Sequence, residues 1–347
     1  MYSVRFVKRC SKRKQKMSIA IQCIKALGKG ERGRRSLTEQ ESFDLMRGWF
    51  DGHVADDQLA MALVLMRVNN ETPEEIAGFV RAFHEGVEPI QADLDWPLYA
   101  GKRVHENKTT DKPWHLVAAK ILADNGHKIL LHGHAQRHLT KNHAEQSLDA
   151  IGIVKAQNLQ HAEKVIQSEG IAYLPLEAFQ PKIVTLLSWN ARYGVRTPIN
   201  TVVRALNPGQ LPYGLRGSFH PGFQELHAKV EQKVSAESGR VLSFKGTSGE
   251  TEFNPKVSQT VWVCDHGKVD PVYWEESASQ PVNVATQCVL GTASADLELM
   301  SHSVVATLVS ALFAIDGDKD KAQLLANEYW SQYLESVYLS KKFNHER

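Results

Sequence analysis

Three stretches of this chain concentrate side chains able to grip an anion. The first carries Lys102, Arg103, His105, Lys108 and Lys112, and the second carries His132, His134, Arg137, His138, Lys141 and His143. The third is a glycine-interrupted basic loop, Lys29-Gly-Glu-Arg32-Gly-Arg34-Arg35. Lys and Arg neutralise phosphate oxygens and release the counterions of a polyanion, a chemistry blind to base sequence. One basic loop alone is more often a solvated surface, so convergence of the loops is what a binding site requires. His132-x-His134 with His138 and His143 also suggests a metal, but no carboxylate pattern accompanies these imidazoles and no metal site is expected. Tyr99, Trp96 and Trp114 could stack on exposed bases, although core packing is the commoner fate of such rings. No residue is assigned a catalytic role.

These loops need elements to hold them. Asp111 can cap a helix with Pro113 at its first position, running to Asn125 with Gly126 beyond its end. Lys128 to Leu131 follows as a buried strand, closing on His132-Gly133, and a helix continues over Ala144 to Ala150. Loop, helix, strand, loop, helix is the order of an α/β domain, in which ligands gather where loops leave the strand ends. Ile171 to Leu174, Tyr213 to Phe219 and Arg240 to Lys245 read as further strands, with a helix from Phe223 to Val234. Thr260 to Cys264 and Lys268 to Tyr273 form a hairpin around Asp265-His-Gly267. Helices over Ala295 to Ile315 and Asp318 to Leu339 end the chain.

Upstream, residues 18–86 read as all helix. Ser36-Leu-Thr-Glu39 has a capping-box pattern, Gln58 to Val68 is strongly apolar behind Asp56 and Asp57, and Thr72-Pro73-Glu74-Glu75 starts a helix that runs to Gly86. Pro181 starts another that stops at Gly194. The expected organisation is a basic tail at 1–16, which initiation at Met17 would leave untranslated. A helical domain at 17–88 follows, with a helix near 178–195 returning to it, and then an α/β domain at 89–347.

Of 347 residues, the first 35 carry twelve Lys and Arg against Glu31 alone, a net +11, so the remainder must hold −9 to leave the formal +2. A basic end on an acidic body suits a polyanion partner. Cys10, Cys23, Cys264 and Cys288 show no CxxC spacing, which suits reduced thiols in the cytoplasm. Residues 1–16 lack the apolar core of a secretory signal, and Val304 to Ile315 is too short to span a bilayer, so no membrane association is expected.

Four stretches resemble the anthranilate phosphoribosyltransferase family (glycosyl transferase family 3). They are Asp51-Gly-His-Val-Ala-Asp-Asp-Gln58 through Glu74-Glu-Ile-Ala-Gly-Phe79, Gly126-His-Lys-Ile-Leu-Leu-His-Gly133, Gly194-Val-Arg-Thr197 with Asn200 and Leu206-Asn-Pro208, and Gly217-Ser-Phe-His-Pro221. The resemblance implies a small N-terminal helical bundle domain beside a larger α/β domain with a central, mostly parallel sheet, the nucleoside phosphorylase/phosphoribosyltransferase-like fold. It also implies a homodimer formed through the helical domain.

The family's enzymes hold phosphoribosyl pyrophosphate on a GTGGD loop, where this chain has Tyr99-Ala-Gly-Lys-Arg103. Their Mg²⁺-binding Asp-Glu pair falls on Thr251-Glu252, before Pro255. The arginine that engages the anthranilate carboxylate falls near Asn190 or Ala191. With cradle, metal pair and carboxylate clamp all altered, the chain resembles the family's YbiB-like branch, whose members keep the fold and bind nucleic acid. The expectation is a catalytically divergent protein with no cofactor, binding DNA or RNA without sequence preference through Lys29, Arg32, Arg34, Arg35, Lys102, Arg103, Lys108, Lys112, His132, His134, Arg137 and Lys141. Two alternatives stand beside it. One is a transferase or phosphorylase with a different acceptor, using Mg²⁺-dependent phosphoribosyl pyrophosphate at His132-Gly133 and Arg196. The other is a structural or regulatory partner in aromatic amino-acid metabolism.

Overall fold

The computed structural model describes residues 18–106, 108–135, 140–235, 239–286 and 289–345, with side chains described to residue 338. Four helices open the chain: α1 (Ile19–Leu27), α2 (Glu39–Phe50), α3 (Asp56–Asn69) and α4 (Pro73–His84). The α2 capping box is formed by Thr38 and Glu41, two residues later than the sequence pattern at Ser36 suggested. Both pairs satisfy the S/T-x-x-E rule, and Thr38 wins because Glu41 also receives the Arg35 guanidinium at 2.7 and 2.6 Å. At α4, Thr72, Pro73 and Glu75 act together as read, and the Glu75 carboxylate also accepts the Leu37 N–H at 2.8 Å, fastening α4 to the entry of α2.

Ten strands follow: β1 (Leu94–Leu98), β2 (Lys102–Arg103), β3 (Ile129–Gly133), β4 (Lys141–Asn142), β5 (Val154–Lys155), β6 (Ile171–Pro175), β7 (Tyr213–Ser218), β8 (Arg240–Lys245), β9 (Gln259–Asp265) and β10 (Lys268–Trp274). Eight of them form one sheet in the order β10-β9-β8-β7-β1-β3-β6-β5, parallel except where β9 and β10 turn back, and β2 pairs with β4 as a separate antiparallel ribbon. The helices among them are α5 (Trp114–Asp124), α6 (Leu148–Ile151), α7 (Leu159–Glu169), α8 (Leu176–Phe179), α9 (Pro181–Tyr193), α10 (Ile199–Val202), α11 (Phe223–Val234), α12 (Leu297–Asp316) and α13 (Lys319–His345).

Both faces of the sheet are covered, which is why β3 reads as an unbroken apolar run. Ile129 and Leu131 join the core with α5, α12 and α13, while Leu130 points to the opposite face with Ala162, Val165 and Ile166 of α7. On that second face Arg216 of β7 ties the sheet to α11, reaching Asp95 and Glu231 at 2.7 Å each. The segment Ser294–Asp316 is long and apolar enough to cross a membrane, but it is mostly buried as a core helix. Leu176, Ile183, Leu186, Leu187, Trp189 and Ile199 pack into the same core as α1–α4, so the chain re-enters the bundle after β6. Trp96 and Trp114, proposed above as stacking platforms, are instead fully buried core residues whose indole N–H groups donate to Thr251 O and Thr292 Oγ1.

Candidate functional site

The ends of β1, β3 and β8 bring three segments together beside the end of β7: the loop after Leu98, the loop after Gly133, and the turn at 246–252. Their backbones approach so closely that side chains are excluded. A Cβ on Gly133 would lie 2.3 Å from Leu98 O, and one on Gly217 would lie 2.5 Å from Glu250 O. Thr251 stitches the segments, its hydroxyl donating to Pro97 O at 2.6 Å and accepting from Gly217 N at 3.2 Å. Glu250, also buried, accepts the Gly101 N–H at 2.8 Å and the Thr251 N–H at 3.1 Å.

The two cations of β2 part company here. Lys102 is 1% exposed and its Nζ donates to Glu252 Oε1 at 2.7 Å, lying 4.2 Å from the centroid of the Trp114 ring. Glu252 also accepts from Ser303 Oγ, His115 N and His115 Nδ1, each at 3.0 Å. Burial alone would raise this carboxyl, but the Lys102 ammonium and His115 outweigh it and hold the group at about 2. Lys102 is therefore an internal cation and not a surface contact, which corrects the expectation for it. His132 is corrected likewise. It is buried, with Nδ1 2.9 Å from the Tyr99 hydroxyl and Nε2 3.2 Å from Asp95 Oδ1. Burial raises the Tyr99 phenol well above its usual range, and Asp95 adds to that, so the hydroxyl keeps its proton and donates to the ring.

Arg103 is exposed and sits directly across the ribbon from half-buried Lys141, whose Nζ donates to Ala100 O. Two further cations act on Lys141: Arg196 from the turn after α9, and Arg204, whose Nη1 donates to Asn200 O at 2.8 Å. Burial, then the fields of Arg196, Arg204 and Arg103, push the Lys141 ammonium below its ordinary value while Glu250 opposes them. Arg204 is lowered by burial and by Arg196, again against Glu250. Three arginines thus act on Lys141, and the carboxylate that opposes them on Lys141 and Arg204, Glu250, already accepts main-chain hydrogen bonds with both oxygens.

The remaining candidates scatter. His134 is paired with Glu177. Lys108 is exposed and acts on Asp296 at the start of α12, and Lys112 is half-buried on the turn into α5. Lys29, Arg32, Arg34 and Arg35 are exposed between α1 and α2. There Arg34 donates to Asn69 at 2.9 Å, and Lys29 and Arg35 line a shallow cavity of about 400 Å³. Arg137 and His138 lie outside the described residues. Sequence reasoning missed Arg204 altogether and held Arg196 only for an alternative. The signal was their place in the segment between Gly194 and Pro208, which the four-stretch pattern already singled out. In that segment Asn190 is engaged with Asn200 and the Thr197 N–H, at 3.1 to 3.3 Å, and Arg192 is exposed beside Tyr193.

Comparison with known proteins adds three findings. Residues 21–85 match the helical bundle domain of the glycosyl transferase family. The chain is similar to the anthranilate phosphoribosyltransferase of Ignicoccus hospitalis, 27% identical over 69% of this chain and 68% of that one. It is similar also to the uncharacterized protein YbiB of Escherichia coli, 24% identical over 74% and 79%. In fold it is similar to the anthranilate phosphoribosyltransferase of Thermus thermophilus (TM-score 0.68, 20% identity, 94% of this chain and 98% of that one). The Saccharomyces cerevisiae enzyme in complex with PRPP and Mg is a second such structure (TM-score 0.61, 15% identity, 91% and 98%).

Proposed function

We propose that the chain, similar to anthranilate phosphoribosyltransferases and carrying the helical bundle domain of the glycosyl transferase family, is a member of that family that binds DNA or RNA through the phosphate backbone, without sequence preference. The observation that carries the proposal is the gathering of cations at Lys141, with Arg103 paired across the ribbon and Arg196 and Arg204 acting on it against Glu250. Cations held together against their mutual repulsion store an affinity for anions, and an incoming phosphate relieves it. Two of the four are half-buried, which weakens solvent screening, while Arg103 and Arg196 remain exposed enough to follow a backbone. The exposed Lys29, Arg32, Arg34 and Arg35 supply a second basic surface, better suited to positioning a long polymer than to gripping one phosphate.

A second copy of the chain belongs to this proposal. Met61, Leu65 and Val68 stand at i, i+4 and i+7 on α3, with Met61 55% and Val68 69% exposed, and Ile21 on the adjoining α1 is 40% exposed. An apolar stripe of that kind is what a homodimer interface through the helical domain would cover.

Electrophoretic shifts with unrelated duplexes across a salt series test the binding. Log affinity should fall linearly with log salt, and each of Arg103→Ala and Lys141→Ala should lower the slope by about one. Lys268→Ala, a charge on β10 paired with Asp270, should leave it unchanged. The family's own activity with a different acceptor remains the other reading, favoured by the same cations because a pyrophosphate would satisfy them equally. It is the one to adopt if calorimetry detects Mg²⁺-dependent phosphoribosyl pyrophosphate binding and no duplex shifts at low salt.

A further inference from the structure

A family relative is seen with PRPP and Mg, so the cation question can be put to these residues directly. Mg²⁺ asks for carboxylate and water oxygens in near-octahedral array. Here Glu252 spends its lone pairs on four donors, Lys102 Nζ, Ser303 Oγ, His115 N and His115 Nδ1. Its neighbour Thr251 offers a hydroxyl already committed to Pro97 O, and Glu250 is committed to main-chain N–H groups. Among the described residues no group of three His, Cys, Asp or Glu is placed to hold a metal. The donor set does not fit the ion.

What meets the Glu252 carboxylate is the protein's own charge, the Lys102 ammonium at 2.7 Å. Glu252, Asp111 and Glu250 all act on the Lys102 ammonium, and all three are buried. The ammonium lies over the Trp114 ring, which supplies a second attraction without adding a charge. A bare ammonium would be costly to bury, and this one has ion pair and ring in place to offset that cost.

We propose that Lys102 is a built-in replacement for a divalent cation: its ammonium holds Glu252 and the Gly101 loop in position, so the cleft takes phosphate groups without metal. The last clause rests on the function proposed above; the first does not.

The test uses the full chain with Mn²⁺ as the probe, read by electron paramagnetic resonance and by melting temperature. Wild type should show no saturable Mn²⁺ binding at about 1 mM, with a melting temperature unmoved by the ion. Lys102→Ala, which leaves the buried Glu252 carboxylate without its ammonium and vacates room for an ion carrying its own water, should melt lower and recover by about 2–4 °C with Mn²⁺. Lys102→Met with Glu252→Gln, neutral on both sides, should ignore the ion. Saturable Mn²⁺ binding by wild type, or a folded Lys102→Ala protein indifferent to Mn²⁺, overturns the proposal. Should Lys102→Ala fail to fold alone, recovery on refolding with Mn²⁺ supports it and no recovery overturns it. Duplex shifts should be undiminished in EDTA. Loss of binding there sinks the metal-free clause while leaving nucleic-acid binding standing, whereas absence of any shift sinks the function and leaves the Mn²⁺ result to judge Lys102.

Discussion

Lys102 and Arg103 are neighbours in sequence and opposites in fate. On a strand, successive side chains point to opposite faces, and β2 is just long enough for the rule to act, sending Lys102 inward and Arg103 outward. The inward member has a consequence for acid stability. Glu252 is held at about 2, below its ordinary 4.5. A carboxyl depressed in the folded state stabilises fully above the unfolded value and loses that contribution as pH falls through the folded one. The wild type's unfolding free energy, measured by urea denaturation, should therefore decline between about pH 4.5 and 2, by on the order of 3 kcal/mol from this group. The Lys102→Met, Glu252→Gln protein should decline less over the same window, and equal declines would refute the assignment. Burying Lys102 itself costs stability at neutral pH, so the pair's net worth is smaller than Glu252's share. The sequence marked this loop as cationic but not which cation would be free, because a strand of two residues is too short to show its period. His132 was misread for the opposite reason: it sits at the end of the strongly apolar run Ile129-Leu-Leu131, whose burial extends one turn of the pleat farther than the run itself.

Whole elements were more legible than single side chains. The Thr72-Pro73-Glu75 start, the Pro181 start with its Gly194 stop and the Asp265-Gly267 hairpin all lie where their local chemistry put them, since caps and turns are decided by residues a few positions apart. Ala144 to Ala150 fared less well, splitting into a 3₁₀ turn at Ala144–Ser147 and α6. Harder to see was the close crossing of β7 and the 246–252 turn, which depends on residues far apart in the chain. Gly217 marks it. A methyl there would meet Glu250 O and the Thr251 Cα at 2.5 Å each, both main-chain atoms that cannot swing aside. Gly217→Ala should cost about 2–3 kcal/mol in urea denaturation and weaken duplex binding, because the displaced turn carries Glu250 out of the cation cluster. Gly30→Ala, with nothing within 4 Å of the added carbon, should stay within about 0.5 kcal/mol of wild type.

At the scale of the molecule, the helical bundle and the sheet are joined by the return of α8–α10 into the bundle core and by α11, whose Lys233 reaches Glu74 of α4 at 2.8 Å. The cation cluster draws Arg196 and Arg204 from the returning segment and Arg103 and Lys141 from the sheet side, so the bundle's seat on the sheet sets the spacing of the four charges. If the α1–α3 stripe also joins two copies, one particle presents two clusters to the same polymer, and the second contact becomes an intramolecular event with a high effective concentration. Met61→Glu with Val68→Glu puts charges into that stripe at positions already exposed, so the fold should survive while sedimentation reports a monomer. The monomer should then bind a duplex of about 10 base pairs as wild type does, since such a ligand reaches one cluster only. For a duplex of about 60 base pairs it should lose on the order of 100-fold in affinity, the low end of what linking two sites confers. Equal loss on both lengths would mean that the substitutions damage the cleft. No loss on the long duplex, with the monomer confirmed, would mean that each copy works alone and the stripe serves something other than this binding.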